Sequence, residues 1–440
     1  MNLLDKYREH IEEFNPIRSL GTINKIKGVM LESLGPQMYI GEVAKIYTAD
    51  GKSVLAEATG SHNHYNNLMP YEDLNMMQVG ARVKALGGSL SIPVGDMLLG
   101  RVLDGLGRPY DDKGPIHADK MMSVFGNPPN AMERKPVNEQ VQTGIRAIDG
   151  LLPLGNGQRI GIFAGSGVGK STLLGMIARN SDADVNVIAL IGERGREVRE
   201  FIENELGEEG LARSVLIVST SDTPPLARVR GAYVATTIAE YFRDQGRNVM
   251  LLFDSVTRFA LAQRDVGLAN GELPATRGYP ASVFTLLPKL LERSGTSKKG
   301  SITGIYTVLV EGDDMDEPIA DAVRGYLDGH IVLARSLAEM GHFPAIDVLK
   351  SVSRLAPKLQ DGTQMQATLG LRKLLAAAHN VEDLVKVGAY VKGSDPLVDE
   401  ALHKRDSIEK FLQQSIDESA ILEHSLKSVK LLASNVARDR

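Results

Sequence analysis

The segment GIFAGSGVGKSTLL, residues 161–174, constrains the fold more than any other part of the chain. Its apolar run breaks into glycines and ends on a lysine and two hydroxyl residues, which predicts a buried strand turning tightly into a helix. Such a turn points several backbone N–H groups into one concavity, and the positive end of the helix dipole attracts anions there. The glycines let phosphate oxygens approach the backbone closely. The segment therefore predicts a phosphate-binding loop in an α/β domain.

Two side chains of this loop are placed for chemistry on a nucleotide. Lys170 is expected to reach the β- and γ-phosphates, and the Ser171 hydroxyl is expected to ligate Mg²⁺. The strict pattern G-x-x-x-x-G-K-[ST] has glycine where this chain has Ala164. Alanine is acceptable there if φ stays negative. The predicted nucleotide-binding residues of the loop are Gly165, Ser166, Gly167, Val168, Gly169, Lys170, Ser171 and Thr172.

Carboxylates follow two further apolar runs. NVMLLFDS ends in Asp254, and a carboxylate at the carboxyl end of a strand can hold the Mg²⁺ shell through water. IALIGERGREV places Glu193 after another strand, where it would act as the general base that polarises the attacking water. Glu197 is a candidate for the second shell of the metal. Arg194 and Arg258 are candidates for phosphate contacts or for bracing the carboxylates, and a surface role stays open for both.

Near-continuous apolar runs alternate with helical stretches between residues 140 and 350, which is typical of a doubly wound parallel sheet. The runs are RIGIFAG, NVIALIG, SVLIVST, NVMLLFD and ITGIYTVLV. The stretch GRVLDGLGRPYDDKGP has the composition of a loop-rich linker. The predicted ATPase domain spans residues 96–365.

Two other sequence patterns occur outside this domain. Short β-branched runs separated by glycine turns predict a small β-barrel or sandwich over residues 20–95. Residues 366–440 have helical periodicity and predict a C-terminal helical domain. Residues 1–19 are predicted to hold an amphipathic helix that ends at Asn15-Pro16, with packing on its own domain or binding to a partner as open alternatives.

Composition excludes several classes of protein. The chain has no cysteine, which rules out disulfides, thiolate metal sites and a cysteine nucleophile, and suits a reducing cytosol. The charged N-terminal stretch does not resemble a signal peptide, and no apolar run reaches the ~18 residues that span a bilayer. A net charge of −5 gives no reason to expect nucleic-acid binding.

Five motifs in order resemble those of the F1/V1-type rotary ATPases, and most of all the type III export ATPases. The motifs are QTGIRAIDGLLPLGNGQRIGIFAGSGVGKSTL, GERGREV, DSVTRFALAQRDVG, GELPATRGYPASVF and GHFPAIDVLKSVSR. The resemblance covers nearly the whole chain. It implies a P-loop NTPase core with a RecA/F1-like parallel sheet, between an N-terminal β-barrel and a C-terminal helical domain. Within the group, the segment after Glu292 resembles the flagellum-specific branch more than the very similar virulence-secretion branch.

The resemblance also implies roles for individual residues. Glu193 would be the catalytic carboxylate, with Lys170 and Arg194 beside the phosphates. Phe343 would stack on adenine, because stacking needs only the face of the ring. Arg354 would be an arginine finger that reaches into the site of a neighbouring subunit.

The implied partners follow from the family. They are Mg²⁺ with ATP, a homohexamer of this chain, a stator-like regulator at the N-terminal helix, a central stalk protein, export substrates with their chaperones, and an export gate at the membrane. The implied location is cytoplasmic, at the inner face of the membrane.

Two other functions compete with export. One is a catalytic F1 or V1 subunit that makes ATP in a heterohexamer. The other is an RNA translocase of the Rho type, which is disfavoured because residues 20–95 lack aromatics interleaved with basic residues and the chain has no Trp.

Overall fold

A computed structural model describes residues 20–118, 120–310, 312 and 314–434. The predicted N-terminal helix within residues 1–19 lies outside the described residues. Within the described part, none of the helices combines the length and apolar character needed to cross a lipid bilayer.

The N-terminal region forms a closed antiparallel barrel, which confirms the predicted β-barrel. Neighbouring strands follow the order β1-β2-β5-β4-β3-β6, and β6 pairs back onto β1. Alternate residues such as Ile23, Leu31 and Val83 fill its interior. The strands are β1 (Leu20–Lys27), β2 (Met30–Leu34), β3 (Glu42–Tyr47), β4 (Ser53–His62), β5 (Tyr65–Pro70) and β6 (Arg82–Ser89).

The segment between barrel and core is more structured than predicted. It contains β7 (Ser91–Val94), β8 (Val102–Asp104), β9 (Lys120–Ser123) and β10 (Gln140–Val141). β7 pairs with β9, while β8 joins the edge of the central sheet in parallel with residues 214–219. The interpretation of GRVLDGLGRPYDDKGP as a linker is therefore wrong for β8. Three strand residues between glycines are too few to show a period.

The core is a nine-stranded sheet. Eight of its strands follow the order β19-β18-β12-β17-β15-β13-β14-β8, and the ninth, β16, pairs with β17. The strands from β18 to β8 are parallel, and β19 is antiparallel to β18. A short β11 pairs with β10 outside this sheet. The strands are β11 (Leu154–Gly155), β12 (Arg159–Ala164), β13 (Val185–Ile191), β14 (Ser214–Ser219), β15 (Asn248–Asp254), β16 (Gly295–Thr296), β17 (Ser301–Leu309), β18 (Gly329–Leu333) and β19 (Ile346–Ser353).

Helices cover both faces of this sheet, as predicted for a doubly wound domain. Val187 of β13 packs into the hydrophobic core that contains α5, and the next residue, Ile188, packs into the core that contains α2. The helices of this part are α1 (Arg146–Leu151), α2 (Lys170–Asn180), α3 (Gly195–Glu200), α4 (Gly207–Ala212), α5 (Pro225–Asp244), α6 (Val256–Ala269), α7 (Ala281–Leu291), α8 (Pro318–Tyr326) and α9 (Arg335–Glu339). A π-helical segment, Phe201–Leu206, joins α3 to α4.

The C-terminal region is helical, as predicted, and it packs on the α2 face of the sheet. Its long helix α11 begins at Gly362 because the Asp361 carboxylate caps it, accepting the Gln364 amide at 2.6 Å. The helices are α10 (Ala356–Leu359), α11 (Gly362–Asn380), α12 (Glu382–Lys386), α13 (Pro396–Leu412) and α14 (Leu422–Leu432).

Candidate nucleotide-binding and hydrolysis site

The phosphate loop lies where the sequence places it, between the end of β12 and the start of α2. Gly167 and Gly169 have φ values of +79° and +90°, in the left-handed region that only glycine enters without strain. Gly165 has no positive φ, so two of the three predicted glycines use that freedom. Ala164 is the last residue of β12 and is buried. The loop therefore opens at the carboxyl edge of the parallel sheet, where α/β proteins bind ligands.

Lys170 lies where three strands end, because it follows β12, Glu193 follows β13, and Asp254 is the last residue of β15. Its Nζ lies 2.5 Å from Asp254 Oδ1 and 3.6 Å from Glu193 Oε1, and all three side chains are largely buried. Burial alone would lower the pKa of Lys170, but the carboxylates of Asp254 and Glu193 raise it above its ordinary value. The lysine is thus held charged at the mouth of the loop.

Thr307 is part of this arrangement and was not predicted. It lies on β17, between β12 and β15, and its Oγ1 donates a 2.8 Å hydrogen bond to Asp254 Oδ1. The hydroxyl and Lys170 together fix the orientation of the Asp254 carboxylate. A single threonine within an apolar strand gives no sequence signal of such a role.

Glu193 has the features of a general base. Burial raises its pKa to about 7, and the charge of Asp254 and a hydrogen bond that the protonated acid can donate to Glu197 add to this, against the opposing effect of Lys170. Its Oε1 is buried without a hydrogen-bond partner among the described residues. A carboxylate that changes charge near neutral pH, with a free oxygen beside the phosphate loop, can accept a proton from water.

Arg258 lies next to Glu193. Gly192 has φ +77°, and a Cβ built on it would lie 2.8 Å from the Cβ of Arg258, so only glycine fits there. The positive charge of Arg258 acts to lower the pKa of Glu193. Its Nε is buried without a hydrogen-bond partner in the described part of the chain. A donor is therefore available for an incoming anion.

Arg194 and Glu197 lie further out. Arg194 precedes the first residue of α3, its side chain is 73% exposed, and it pairs with Glu197 at 3.6 Å. The structure does not bring Arg194 into contact with Lys170, so its predicted phosphate contact stays a prediction. Glu197 acts to raise the pKa of Glu193, and its predicted place beyond the ligands of the metal stays a prediction.

Phe343 lies at the far end of the loop. A Cβ built on Gly169 would lie 3.7 Å from two carbons of the Phe343 ring, and the side chain is 45% exposed. An exposed aromatic face beside the start of α2 is suitably placed for a nucleobase. Ser171 is exposed on the first turn of α2. The Thr172 hydroxyl donates to Glu205 Oε1 at 2.9 Å.

Arg354 lies at the opposite edge of the sheet. Leu333 at the end of β18 pairs with Ala164, whereas Gly329 at its start pairs with Ser353, the last residue of β19. β18 has five residues, which separates these edges by roughly 13 Å. Arg354 follows Ser353, is exposed, and donates to the Arg324 carbonyl at 3.1 Å. It does not join the site of its own chain.

Oxygen donors for a divalent cation are present at the site. Mg²⁺ prefers a few carboxylate or hydroxyl oxygens together with water and phosphate. Asp254 lies at the end of β15, Ser171 is exposed on the first turn of α2, and the Glu197 carboxylate is partly exposed. These residues fit the ion, and they would hold it directly or through water.

A phosphate loop after a central parallel strand, with a charged lysine between two strand-end carboxylates, defines a P-loop ATPase. Comparison with known families agrees. Residues 144–353 match the ATP synthase alpha/beta family, nucleotide-binding domain, and residues 361–430 match the T3SS EscN ATPase C-terminal domain.

Individual relatives indicate the branch of this family to which the chain belongs. The chain is 54% identical to a flagellum-specific ATP synthase of Treponema pallidum, over 98% of this chain and 97% of the relative. It is 49% identical to a type 3 secretion system ATPase of Xanthomonas euvesicatoria, over 93% of both chains. The assembled ATPase EscN of enteropathogenic E. coli, solved in complex with its central stalk EscO, matches with a TM-score of 0.88 and 46% identity, over 94% of this chain and all of that one. The chain belongs to the flagellar and type III secretion ATPases, and it is an ATP hydrolase.

Proposed function

We propose that this chain hydrolyses Mg²⁺-ATP as a homohexamer and thereby drives or assists protein export by a flagellar type III apparatus. The observation that carries the proposal is the meeting of Lys170, Glu193 and Asp254 at the phosphate loop. The flagellar branch is supported by 54% identity to the Treponema relative, against 49% to the Xanthomonas secretion ATPase.

Each residue of the site has a task in hydrolysis. The loop amides and Lys170 bind the phosphates and offset the charge that develops on them. Glu193 orients the attacking water and accepts its proton, while Arg258 offers its free Nε to the phosphate. Bound Mg²⁺ would supply charge neutralisation, held by Ser171 and Asp254 with Glu197 further out. Phe343 binds the base, and Arg194 contacts phosphate once the site closes.

Assembly is needed to complete the site. Arg354 is exposed at the edge of the sheet opposite to the loop of its own chain, so it can reach a γ-phosphate only in another subunit. A guanidinium placed there stabilises the transferring phosphoryl group by about 10³–10⁵ in rate.

Mixing two inactive variants tests this arrangement. Arg354→Ala is expected to bind ATP but not hydrolyse it, and Lys170→Ala is expected to lack hydrolysis while keeping its own Arg354. Co-assembled oligomers of the two should regain part of the activity in a phosphate-release assay, because some interfaces join an intact loop to an intact finger. Mixed oligomers that stay fully inactive would mean either that Arg354 acts within its own chain or that the sites are strictly cooperative, and dilution of each variant into wild type would distinguish the two.

Partners and location extend the proposal. The EscN relative assembles with a central stalk protein, which supports a stalk for this chain too. We also propose a stator-like regulator at residues 1–19, export substrates with chaperones, and an export gate that holds the cytoplasmic enzyme at the inner face of the membrane.

An assembly assay separates export from the competing functions. Size exclusion with and without ATP should show self-assembly of the chain alone, whereas an F1 or V1 catalytic subunit requires a second kind of subunit. RNA should leave the ATPase rate unchanged, whereas a translocase of the Rho type would be stimulated.

A further inference from the structure

Glu205 is a carboxylate that the hydrolysis mechanism does not use, although it lies against the phosphate-binding helix. It belongs to the π-helical segment Phe201–Leu206, and its Oε1 accepts the Thr172 hydroxyl at 2.9 Å. A Cβ built on Gly175 would lie 2.6 Å from the Cβ of Glu205, so this segment packs directly on α2. π-helical turns are rare and are frequent at functional sites.

The second oxygen of Glu205 is buried without a partner. Oε2 has no hydrogen bond, and no lysine, arginine or histidine of the described chain forms an ion pair with this residue. Because Glu205 accepts from Thr172 in the first turn of α2, its charge lies at the positive end of that helix, which stabilises it. The same end of α2 is the predicted binding site for nucleotide phosphates.

We infer that the negative charge of the Glu205 carboxylate, beside the phosphate-binding site, weakens nucleotide binding and favours product release. The Thr172 hydroxyl holds the carboxylate at 2.9 Å, and the amide of Thr172 is expected at the α-phosphate, so one side chain and one hydrogen bond separate the charge from that amide. A negative charge at this distance repels the phosphates and competes with them for the helix dipole. The inference rests on the proposed nucleotide site and names a residue that sets its affinity.

Nucleotide titration of Glu205→Gln tests the inference. Glutamine keeps an oxygen for the Thr172 hydroxyl and removes only the charge. We expect ADP and Mg²⁺-ATP to bind about three- to thirtyfold more tightly, as Coulomb's law predicts for one charge at this range in a protein. The KM for ATP should fall in parallel. Adenosine, which has no phosphate, should bind as it does to wild type.

Matched variants distinguish local from general effects. Glu203→Gln removes the same charge from the same segment, but Glu203 is exposed and paired with Arg199 at 2.7 Å, so ADP affinity should not change. Glu205→Asp keeps the charge and should bind ADP like wild type. Glu205→Met is a second uncharged side chain of similar length and should also tighten ADP binding.

Unchanged or weaker ADP binding by Glu205→Gln or Glu205→Met would overturn the inference, as would equal tightening by Glu203→Gln or a change for adenosine. The proposed site itself is tested separately in the same assay. If wild type bound ATP no better than Lys170→Ala, the site would be wrong; if wild type bound well and only the Glu205 variants showed no effect, only the role of Glu205 would fall.

Discussion

Arg293 and Lys170 are both held by buried carboxylates, but hydrogen bonds satisfy both members only in the Arg293 pair. Arg293 is 1% exposed and forms a two-pronged ion pair with Glu240, at 2.9 Å and 2.6 Å. Lys170 meets Asp254 closely, but its second carboxylate, Glu193, keeps an oxygen without a hydrogen bond. We call the Arg293–Glu240 pair closed because both residues are fully hydrogen-bonded, and such a pair connects parts of the fold. We call the Lys170 site open because an oxygen of Glu193 accepts no hydrogen bond, which leaves room for a ligand.

The Arg293 pair connects the segment after the barrel to α5. Its remaining donors bind the Val124 carbonyl at 2.8 Å and Thr237 Oγ1 at 2.9 Å. A Cβ built on Gly126 would lie 2.8 Å from Arg293 Nη2, so the backbone of this segment lies directly on the guanidinium. Each of the three guanidinium nitrogens of Arg293 therefore has a hydrogen-bond partner within the fold, and the contrast with Lys170 can be tested by mutation.

Lys170→Ala should have the largest effect on activity. Hydrolysis should fall to background because the loop loses the mobile positive charge that contacts the β- and γ-phosphates. Lys170→Ala should lower the free energy of unfolding less than the removal of Arg293 does, because Glu193 can take up a proton and water can enter the open site. A phosphate-release assay with circular dichroism checks both; near-normal turnover would contradict the assignment.

Glu193→Gln should leave Mg²⁺-ATP binding intact and slow hydrolysis by about 10²–10⁴-fold, the usual contribution of a general base. Glutamine keeps the shape of the side chain and loses only the ability to accept the proton. Fluorescence titration and single-turnover hydrolysis measure the two properties. Failure to bind nucleotide would mean that Glu193 supports the metal or the fold instead.

Arg293→Met should destabilise the domain by about 3–5 kcal/mol, because Glu240 would be left buried and unpaired. Chemical denaturation measures this loss. Arg247→Met is a suitable control, since Arg247 pairs with the exposed Asp96 at 2.9 Å and such pairs contribute about 0–1 kcal/mol. An Arg293 variant as stable as the control would remove the distinction between closed and open pairs.

The pH dependence of hydrolysis should show the smallest effect. Glu193 acts as a base only when deprotonated, and its pKa is raised to about 7. The rate should therefore rise about tenfold per pH unit below that value and level off above it. This rise of the rate with pH should be absent from the residual activity of Glu193→Gln. A wild-type rate that stays constant from pH 5.5 to 8 would contradict the assignment of Glu193 as the base.

The sequence predicted those parts of the fold that have a local signature. The glycines, lysine and hydroxyls of the phosphate loop, and the apolar runs before Glu193 and Asp254, are visible in short windows. β8 was interpreted as part of a linker because it has only three residues. Its pairing depends on neighbours distant in sequence, which a local pattern does not contain.

The same limit applies to the site. Thr307 contacts Asp254 and Glu205 contacts Thr172, each from an element distant in sequence, and neither has an unusual residue type or spacing. The sequence resemblance suggested Arg354 as a finger, but its position at the opposite edge of the sheet follows only from the register of β18 and β19. The roles of these residues stay predictions until the variants are measured.

The closed barrel has a consequence for a protein that meets many copies of itself. Exposed strand edges offer unpaired N–H and C=O groups on which other chains can pair, and this is a common route to aggregation. Because β6 pairs back onto β1, this barrel has no such edge. Where two barrels lie side by side, they can therefore meet through side chains such as Ile40 and Met76, which are exposed. Association of this kind is reversible and can be adjusted one side chain at a time.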